Sequence, residues 1–470
     1  MAKVVVLGAG ISGLASAALL ANAGHQVTVL ERNTWIGGKS RRVEVAGQRM
    51  DTGPALVTFP EVIEQFLELF NSLGDTKHQD LIDLEFTKLN EVGRYFFRNH
   101  VTDLPVQASH HWHKPWQRFA NKHGELTPAI SQLLTAHPLD PRALPSLLKM
   151  LKVYGTKLTT ESYINSLSWM PKGLKEVISI HTLNAGVSPK KTLALYASMT
   201  AAMATEGISV PVGGVNEIPL SIAKRAQSAG AEIRLGEEIT SVKRGQVTTS
   251  VTNYAADYVV SSIDPEVLNR LIGKRGNPKL QRSCSGVAIY AVLKEPLPEG
   301  TVTHSVVMPD EPAKLYQSLE SFTPPTQTMA FVNYYRAGEI YPNKKPTVAL
   351  LLTAPADGNH YDVNSAWVKK EILRISKKLG LKKPITELFE DHIVLDPEYF
   401  GGWGAHNGAL YGATRPMWQS GPFHNPSHHN FLRPWLYRVG ASVHPGGGIP
   451  AVLGGSLISM RHLLAKAKKK

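Results

Sequence analysis

A chain of 470 residues exceeds what one hydrophobic core usually supports, so two lobes are expected. Its 43% hydrophobic content is ordinary for a soluble globular protein, and its single cysteine, Cys284, excludes an intramolecular disulfide and a cysteine-based zinc or iron–sulfur site, as suits a reducing compartment. Lys and Arg outnumber Asp and Glu by 51 to 38, and the resulting +13 implies attraction to something anionic; with no nucleic-acid motif beside the charge, DNA and RNA are not the expected partners.

The first predicted element is a strand. Val4-Val5-Val6-Leu7 is apolar and largely β-branched, as a strand covered on both faces of a parallel sheet should be. Gly8-Ala9-Gly10-Ile11-Ser12-Gly13 follows at once. In a G-x-G-x-x-G turn the first glycine permits the bend, the second lets backbone approach a pyrophosphate, and the third lets the helix lie close on the strand. A helix from Ser12 to Asn22 then aims its unpaired N–H groups and positive dipole end at the phosphates; Gly24 ends it, and His25 to Leu30 reads as a second strand. Glu31 closes that strand, 23 positions after Gly8, where a carboxylate accepts hydrogen bonds from a ribose 2′-hydroxyl. Lys3 and the uncharged stretch to Ala23 also look like a secretory signal or a membrane span. The glycine spacing and the immediate return into Val-Thr-Val-Leu argue instead for an end that is retained and folded.

After Asp51-Thr52-Gly53-Pro54 the pattern is helical, with Val62, Ile63, Phe66, Leu69 and Phe70 on one face. A Pro- and His-rich region follows from about Pro105 to Pro145. Within it, the stretch from His110 to Phe119 mixes aromatic and cationic residues as segments at a membrane–water boundary do, although an exposed loop is the default. Its clustered histidines diverge and have no acidic ligand nearby, so no metal site is expected. Helical stretches run on to about Ala204; the longest apolar run there, from Leu193, is stopped by Glu206 and is too short to span a bilayer.

At Pro211-Val212-Gly213-Gly214 the character changes again. Ile218 to Ala229 is helical, and Glu232 to Leu235, Ile239 to Val242 and Ala256 to Ser262 read as strands, like an opening domain that returns after an insertion. From about Pro278 to Tyr399, segments such as Val287 to Leu293 and Val348 to Leu352 suggest a second sheet. Val368, Ile372, Ile375 and Leu379 form one helical face flanked by Lys369, Lys370, Arg374, Lys377 and Lys378, and Arg461 to Lys470 carries five cations in ten residues. Such a helix and tail suit an anionic bilayer; the competing reading packs the apolar face on the core and leaves the lysines solvated. Finally, Gly440-Ala441-Ser442-Val443-His444-Pro445-Gly446-Gly447-Gly448-Ile449-Pro450-Ala451 lets backbone pass close to a flat ring, with Pro450 near the first turn of a helix whose N–H groups can stabilise negative charge on a reduced flavin.

Taken in order, Gly8 to Gly38 with Lys39, Asp51 to Pro54, His181-Thr182-Leu183-Asn184-Ala185-Gly186, Pro211 to Pro219, and Gly440 to Pro450 resemble the bacterial-type phytoene desaturase family of carotenoid desaturases and isomerases over nearly the whole chain. The resemblance implies an α/β fold: a Rossmann-like FAD-binding domain of the amine-oxidase type with an inserted α+β substrate domain. The segments would be 1–90, 205–275 and 405–470 for FAD, and 91–204 and 276–404 for substrate. It also implies a non-covalent FAD, a lipophilic polyene substrate, and a cytoplasmic enzyme peripherally associated with a membrane.

Carried residue by residue, Gly8, Gly10 and Gly13 would cradle the pyrophosphate, Glu31 would bind the adenosine ribose, Gly38 and Lys39 would pass near the phosphates, and Gly53 would belong to the cofactor site. Lys39 stands where Arg is common, which keeps the charge and loses the fork. Ile239 would meet the adenine, and Gly440, Ala441, Ile449 and Pro450 would line the flavin. No catalytic base is assigned; His181 and His444 are the candidates to face substrate, against structural roles for both. A flavin amine oxidase, a nicotinamide-only dehydrogenase and a non-catalytic basic membrane-binding protein stay open as rivals. Within the family, so do phytoene desaturation, later desaturation of a hydroxylated carotenoid, and cis–trans isomerisation.

Overall fold

The computed structural model describes residues 1–53, 55–74, 84–89, 91–275, 281–403, 406–414, 419, 424 and 426–467. Pro54 and the last three lysines of the tail lie outside them. Two sheets organise the chain. The first has six strands in the order His429–Asn430, Arg433–Arg438, Tyr258–Ser261, Lys3–Leu7 (β1), Gln26–Glu31 (β2) and Glu232–Leu235. Its pairings are parallel except for the edge hairpin His429–Asn430 with Arg433–Arg438. β1 lies at the middle, with Val4 beside Val27 and Tyr258, which is why its four apolar residues are all buried. Helix α1 (Ile11–Asn22) packs against the sheet and is buried along its whole length. Its small residues let α1 sit beneath the C-terminal helix Ile449–Ala467, and Ser456 Oγ donates to Ser12 O at 3.0 Å.

The second sheet has seven strands, in the order Phe389–Leu395, Ser285–Leu293, Thr347–Ala354, Ala330–Tyr335, His304–Val307, Gly93–Phe97 and His100–Leu104. Only His304–Val307 with Gly93–Phe97 is parallel. The helix Ala366–Lys378 covers one face of it. Val368, Ile372, Ile375 and Leu379 pack with Val287, Ile289, Val348 and Leu350, so the apolar face is spent on the core and the membrane reading of this helix is overturned. One of its cations is also consumed internally: Arg374 pairs with buried Glu371 at 2.6 Å and donates to the carbonyls of Met308 and Thr328.

A group of helices completes the chain: α2 (Glu61–Leu73) packs on α1 and the terminal helix, α3 (His113–Gly124) on the helix Met199–Glu206, α4 (Thr127–Thr135) on the terminal helix, and α5 (Leu144–Tyr154) on α4. The expected loop around His110 is therefore a turn leading into α3. The 3.6-residue period puts Trp112, Trp116, Phe119 and His123 on one buried face, so these aromatics serve the core rather than a membrane boundary. His100 from the neighbouring strand joins His110 and His111, the three ligand atoms lying within 4.8 Å of one another. The sequence could not show that third imidazole, and His110 Nδ1 is already accepting from Trp112 N at 3.1 Å. Among the described residues no helix is long and apolar enough to cross a membrane.

Candidate active site

β1 delivers Gly8 in a left-handed conformation, φ +92°, which an L side chain rarely adopts. A Cβ at Gly13 would stand 2.1 Å from Gly8 O, so only glycine lets α1 rest on the turn. Gly10 is different: a Cβ there meets no atom within 4 Å. That open space faces the start of α1, which has neither a side-chain cap nor an acid in its first turn, so its leading N–H groups and dipole are left for an anion. The second glycine pair runs alongside, with Gly37 N donating to Ala9 O at 2.8 Å and Gly38 placed against the Gly10 backbone.

Lys39 follows. Desolvation by the surrounding protein lowers its pKa, with Asp264 acting the other way, while the residue itself stays exposed. Its ammonium donates to Leu410 O. Two residues on, Arg41 stacks over Trp35 at 4.5 Å. Among the described residues, Arg41 Nε and Ser40 Oγ are buried without a hydrogen-bond partner, as are the hydroxyls of Thr200, Thr347 and Ser459 elsewhere in the chain. Gly53, φ +83°, comes so close to Lys39 O that a Cβ would lie 2.4 Å away.

Glu31 is buried at the end of β2. One carboxylate oxygen accepts from Ala9 N at 2.9 Å and the other from Asn33 N and Nδ2 at 2.9 and 2.8 Å, so the acid first of all ties the glycine turn to β2. Oε1 already takes two donors, so Oε2, with Ala9 N alone, is the oxygen that retains a lone pair for a ribose hydroxyl. Glu237 N donates to Glu31 O at 3.0 Å, which brings the following strand against this end of the cleft. Ile239 packs there with Leu30 and Leu7.

The C-terminal loop closes the other side. Gly440, φ +101°, passes over α1 with its Cβ direction 3.3 Å from Ser12 Oγ. Ala441 lies beside Gly447, and Ile449 and Pro450 open the terminal helix, Ile449 being buried in the main core. Side chains at Gly446 and Gly448 would again meet nothing within 4 Å. Gly447, in contrast, abuts Tyr411: a Cβ would lie 2.6 Å from Cδ1 of that ring, and one at Gly186 would lie 2.7 Å from Cδ2. Tyr411 is thus wedged between the C-terminal loop and the helical lobe.

Sequence reasoning missed Tyr411, Arg41 and Asp264. Asp264 had a signal, since Asp followed by Pro marks a helix start, and its carboxylate accepts from Glu266 N at 2.8 Å. Tyr411 had none, because both its glycine neighbours are distant in sequence.

The two histidine candidates differ in their surroundings, His181 being hydrogen bonded at both nitrogens and His444 Nε2 having no partner among the described residues. His181 Nε2 is hydrogen bonded with Tyr95 Oη at 2.7 Å, and its Nδ1 with Asn184 Nδ2 at 3.4 Å. Burial, helped by His304, pulls its pKa down to about 3. His444 packs near His424 and His428, with ring centroids at 6.1 and 6.4 Å, against the end of α4. Burial and His424 bring it down to about 4, while the carbonyls of Ala136 and Leu133 act the other way. Neither ring is brought to Tyr411 by these contacts.

An adenine dinucleotide carrying a flavin fits what is assembled: open space at Gly10, a free helix start, a cation in the cleft, unpaired polar atoms beside it, and a second glycine loop long enough to flank a ring system. Comparison with known proteins agrees. Residues 11–383 match the family described as flavin containing amine oxidoreductase. The chain is 25% identical to the 1-hydroxycarotenoid 3,4-desaturase of Flavobacterium sp. (strain P99-3), covering 96% of this chain and 97% of that protein. It is 24% identical to the zeta-carotene-forming phytoene desaturase of Myxococcus xanthus over 96% and 92%. Cyclohexylamine oxidase from Brevibacterium oxydans IH-35A shares the fold, with TM-score 0.65, 13% identity and 99% of each chain covered.

Proposed function

The chain belongs to the flavin containing amine oxidoreductase family and holds FAD, and on that premise we propose that it is a carotenoid desaturase, introducing C=C bonds into a lipophilic polyene. The observation that carries this reading is the end-to-end likeness to desaturases of such polyenes, 96% of the chain against 97% of one relative, in a protein whose cleft has the features of a dinucleotide site. Bound FAD would supply a hydride acceptor, which no amino-acid side chain can be.

The chain's residues then have separable tasks. Gly8, Gly10 and Gly13 give phosphates access to the α1 N–H groups, with Lys39, Arg41 and Ser40 adding charge and donors. Glu31 and Ile239 serve the adenosine end, and Gly38 and Gly53 leave room beside the phosphates. Gly440, Ala441, Ile449 and Pro450 line the ring system, and the start of the terminal helix favours negative charge there.

Tyr411 walls the side facing the helical lobe, with Cys284 and Tyr196 behind it, and burial raises the pKa of all three, Cys284 to about 12. A wall of neutral groups suits a hydrocarbon and keeps water out. An allylic cation loses its proton readily, so a dedicated base is dispensable, and the depressed pKa values of His181 and His444 make both weak bases. A later-step reaction on a hydroxylated carotenoid is the second reading, favoured by the Flavobacterium relative.

The test is expression in cells that accumulate different carotenoid precursors. The proposal expects a pigment with more conjugated double bonds from at least one; unchanged pigments from all of them, with FAD bound, would refute it.

A further inference from the structure

On the face of the seven-stranded sheet that joins the main core, apolar side chains are interrupted by a polar group that the cofactor site does not use. Alternation along three adjacent strands puts Gly93, Tyr95, His304, Val306, Phe331 and Asn333 on that face, with His304 opposite Asn333 and Val306 opposite Tyr95. Tyr95, His304 and Asn333 are 0%, 8% and 2% exposed, and the His304 ring stacks on Phe331 at 5.3 Å. A Cβ at Gly93 would stand 3.0 Å from His304 Cδ2 and 3.7 Å from Tyr95 Cε2, so the bare glycine lets the two rings adjoin. His181 meets Tyr95 from the short helix Ile180–Ala185, whose next residue, Gly186, abuts Tyr411.

The hydrogen bonds fix where each proton sits. Burial, helped by His304, keeps His181 neutral, and burial also lowers His304 against the opposing effect of Asn333, so each imidazole carries one proton. Asn333 Oδ1 can only accept, so His304 Nδ1 donates to it at 2.5 Å and His304 Nε2 keeps its lone pair, with no partner among the described residues. Asn184 Nδ2 can only donate, at 3.4 Å, so His181 Nδ1 accepts and His181 Nε2 donates to Tyr95 Oη at 2.7 Å. The hydroxyl hydrogen of Tyr95 is then left over. One donor and one acceptor remain unspent on adjoining buried rings, a costly state in an apolar setting unless a ligand meets both.

We propose that Tyr95 and His304 bind one alcohol hydroxyl of the substrate, which accepts from the Tyr95 O–H and donates to His304 Nε2. The inference rests on the desaturase reading and narrows its substrate to a polyene that carries a hydroxyl. An alcohol is the group that matches both rings. A carbonyl would leave His304 Nε2 unpaired; an ammonium would leave the Tyr95 O–H unpaired and would meet no carboxylate, since none acts on either imidazole. A pure hydrocarbon would leave both groups unpaired, and a site built around a hydroxyl discriminates strongly against the analogue without one. His181 and Asn333 are positioning residues, each holding its neighbour's proton in the required place.

Titration of the FAD-loaded full chain in neutral detergent with an acyclic carotene and with its 1-hydroxy derivative, read by the shift of the polyene absorption, tests the proposal. The wild type should bind the hydroxy derivative at least about tenfold more tightly. Tyr95→Phe and the double variant His304→Phe/Asn333→Leu should each bring that preference close to one. The double variant removes both members of a hydrogen bond and so leaves no new unpaired group, which makes it the safer fold, with FAD content as the check. Equal affinity of the wild type for the two polyenes would overturn the proposal without any variant. So would a preference that survives in both variants, the mark of a buried water between the rings or of a hydroxyl read elsewhere. Preferential binding of the hydroxy derivative, lost in the variants but with neither polyene converted, would sink the desaturase reading and leave the hydroxyl site standing. Conversion of the carotene with no preference in binding would do the reverse.

Discussion

At the scale of single residues, three glycines of one turn make different demands. Gly10 has φ −71° and open space around its missing side chain, so Gly10→Val is tolerated by the polypeptide and intrudes only where phosphate would lie. The expected outcome is loss of flavin absorbance per mole of protein, with the apo form melting close to the wild-type apo protein. Gly13→Val should fail differently, because its Cβ collides with Gly8 O and the apo fold itself is weakened. Should Gly10→Val retain full FAD, the cradle is misplaced. Lys39→Ala is expected to weaken FAD retention measurably while leaving apo melting unchanged, since the residue is exposed rather than packed in a core.

At the scale of elements, the helix Ala366–Lys378 separates core from surface within a few residues. Ile372→Ala should cost about 2–5 kcal/mol in denaturant unfolding, because Ile372 is 2% exposed against the seven-stranded sheet. Lys369→Gln and Lys370→Gln should change stability by no more than about 0.5 kcal/mol. Equal effects from both kinds of change would contradict the packing.

This helix also shows what the sequence could disclose. Its period was legible, but period alone cannot say whether sheet or lipid covers an apolar face. The strand–turn–helix at the N-terminus was legible throughout because every signal in it is local: a β-branched run, a fixed glycine spacing, an acid at the end of β2. The segment around His110 misled because aromatic and cationic residues alternate there in sequence, whereas helical rotation sends Trp112, Trp116 and Phe119 inward. Tyr411 was invisible, since Gly186 and Gly447 meet it only in the folded chain.

At the scale of the whole molecule, the buried histidines set an acid limit. Burial above all lowers His123, His181 and His428 to about 3 and His444 to about 4, against 6.5 when unfolded. Between those values the unfolded chain binds more protons than the folded one, so stability rises with pH through this window and is lost as pH falls below about 6.5. Denaturant midpoints should drop between pH 7 and pH 5. An unchanged midpoint would mean that these imidazoles are not held neutral.

The same molecule joins a glycine cradle and a neutral wall, and the account stands on electrons moving from hydrocarbon to flavin. Mixing the FAD-loaded protein anaerobically with a carotenoid precursor in vesicles measures that transfer in one cuvette. The account predicts bleaching of the oxidised flavin band together with a red shift of the polyene spectrum. Flavin that stays oxidised with every polyene, yet bleaches with an amine, would contradict it.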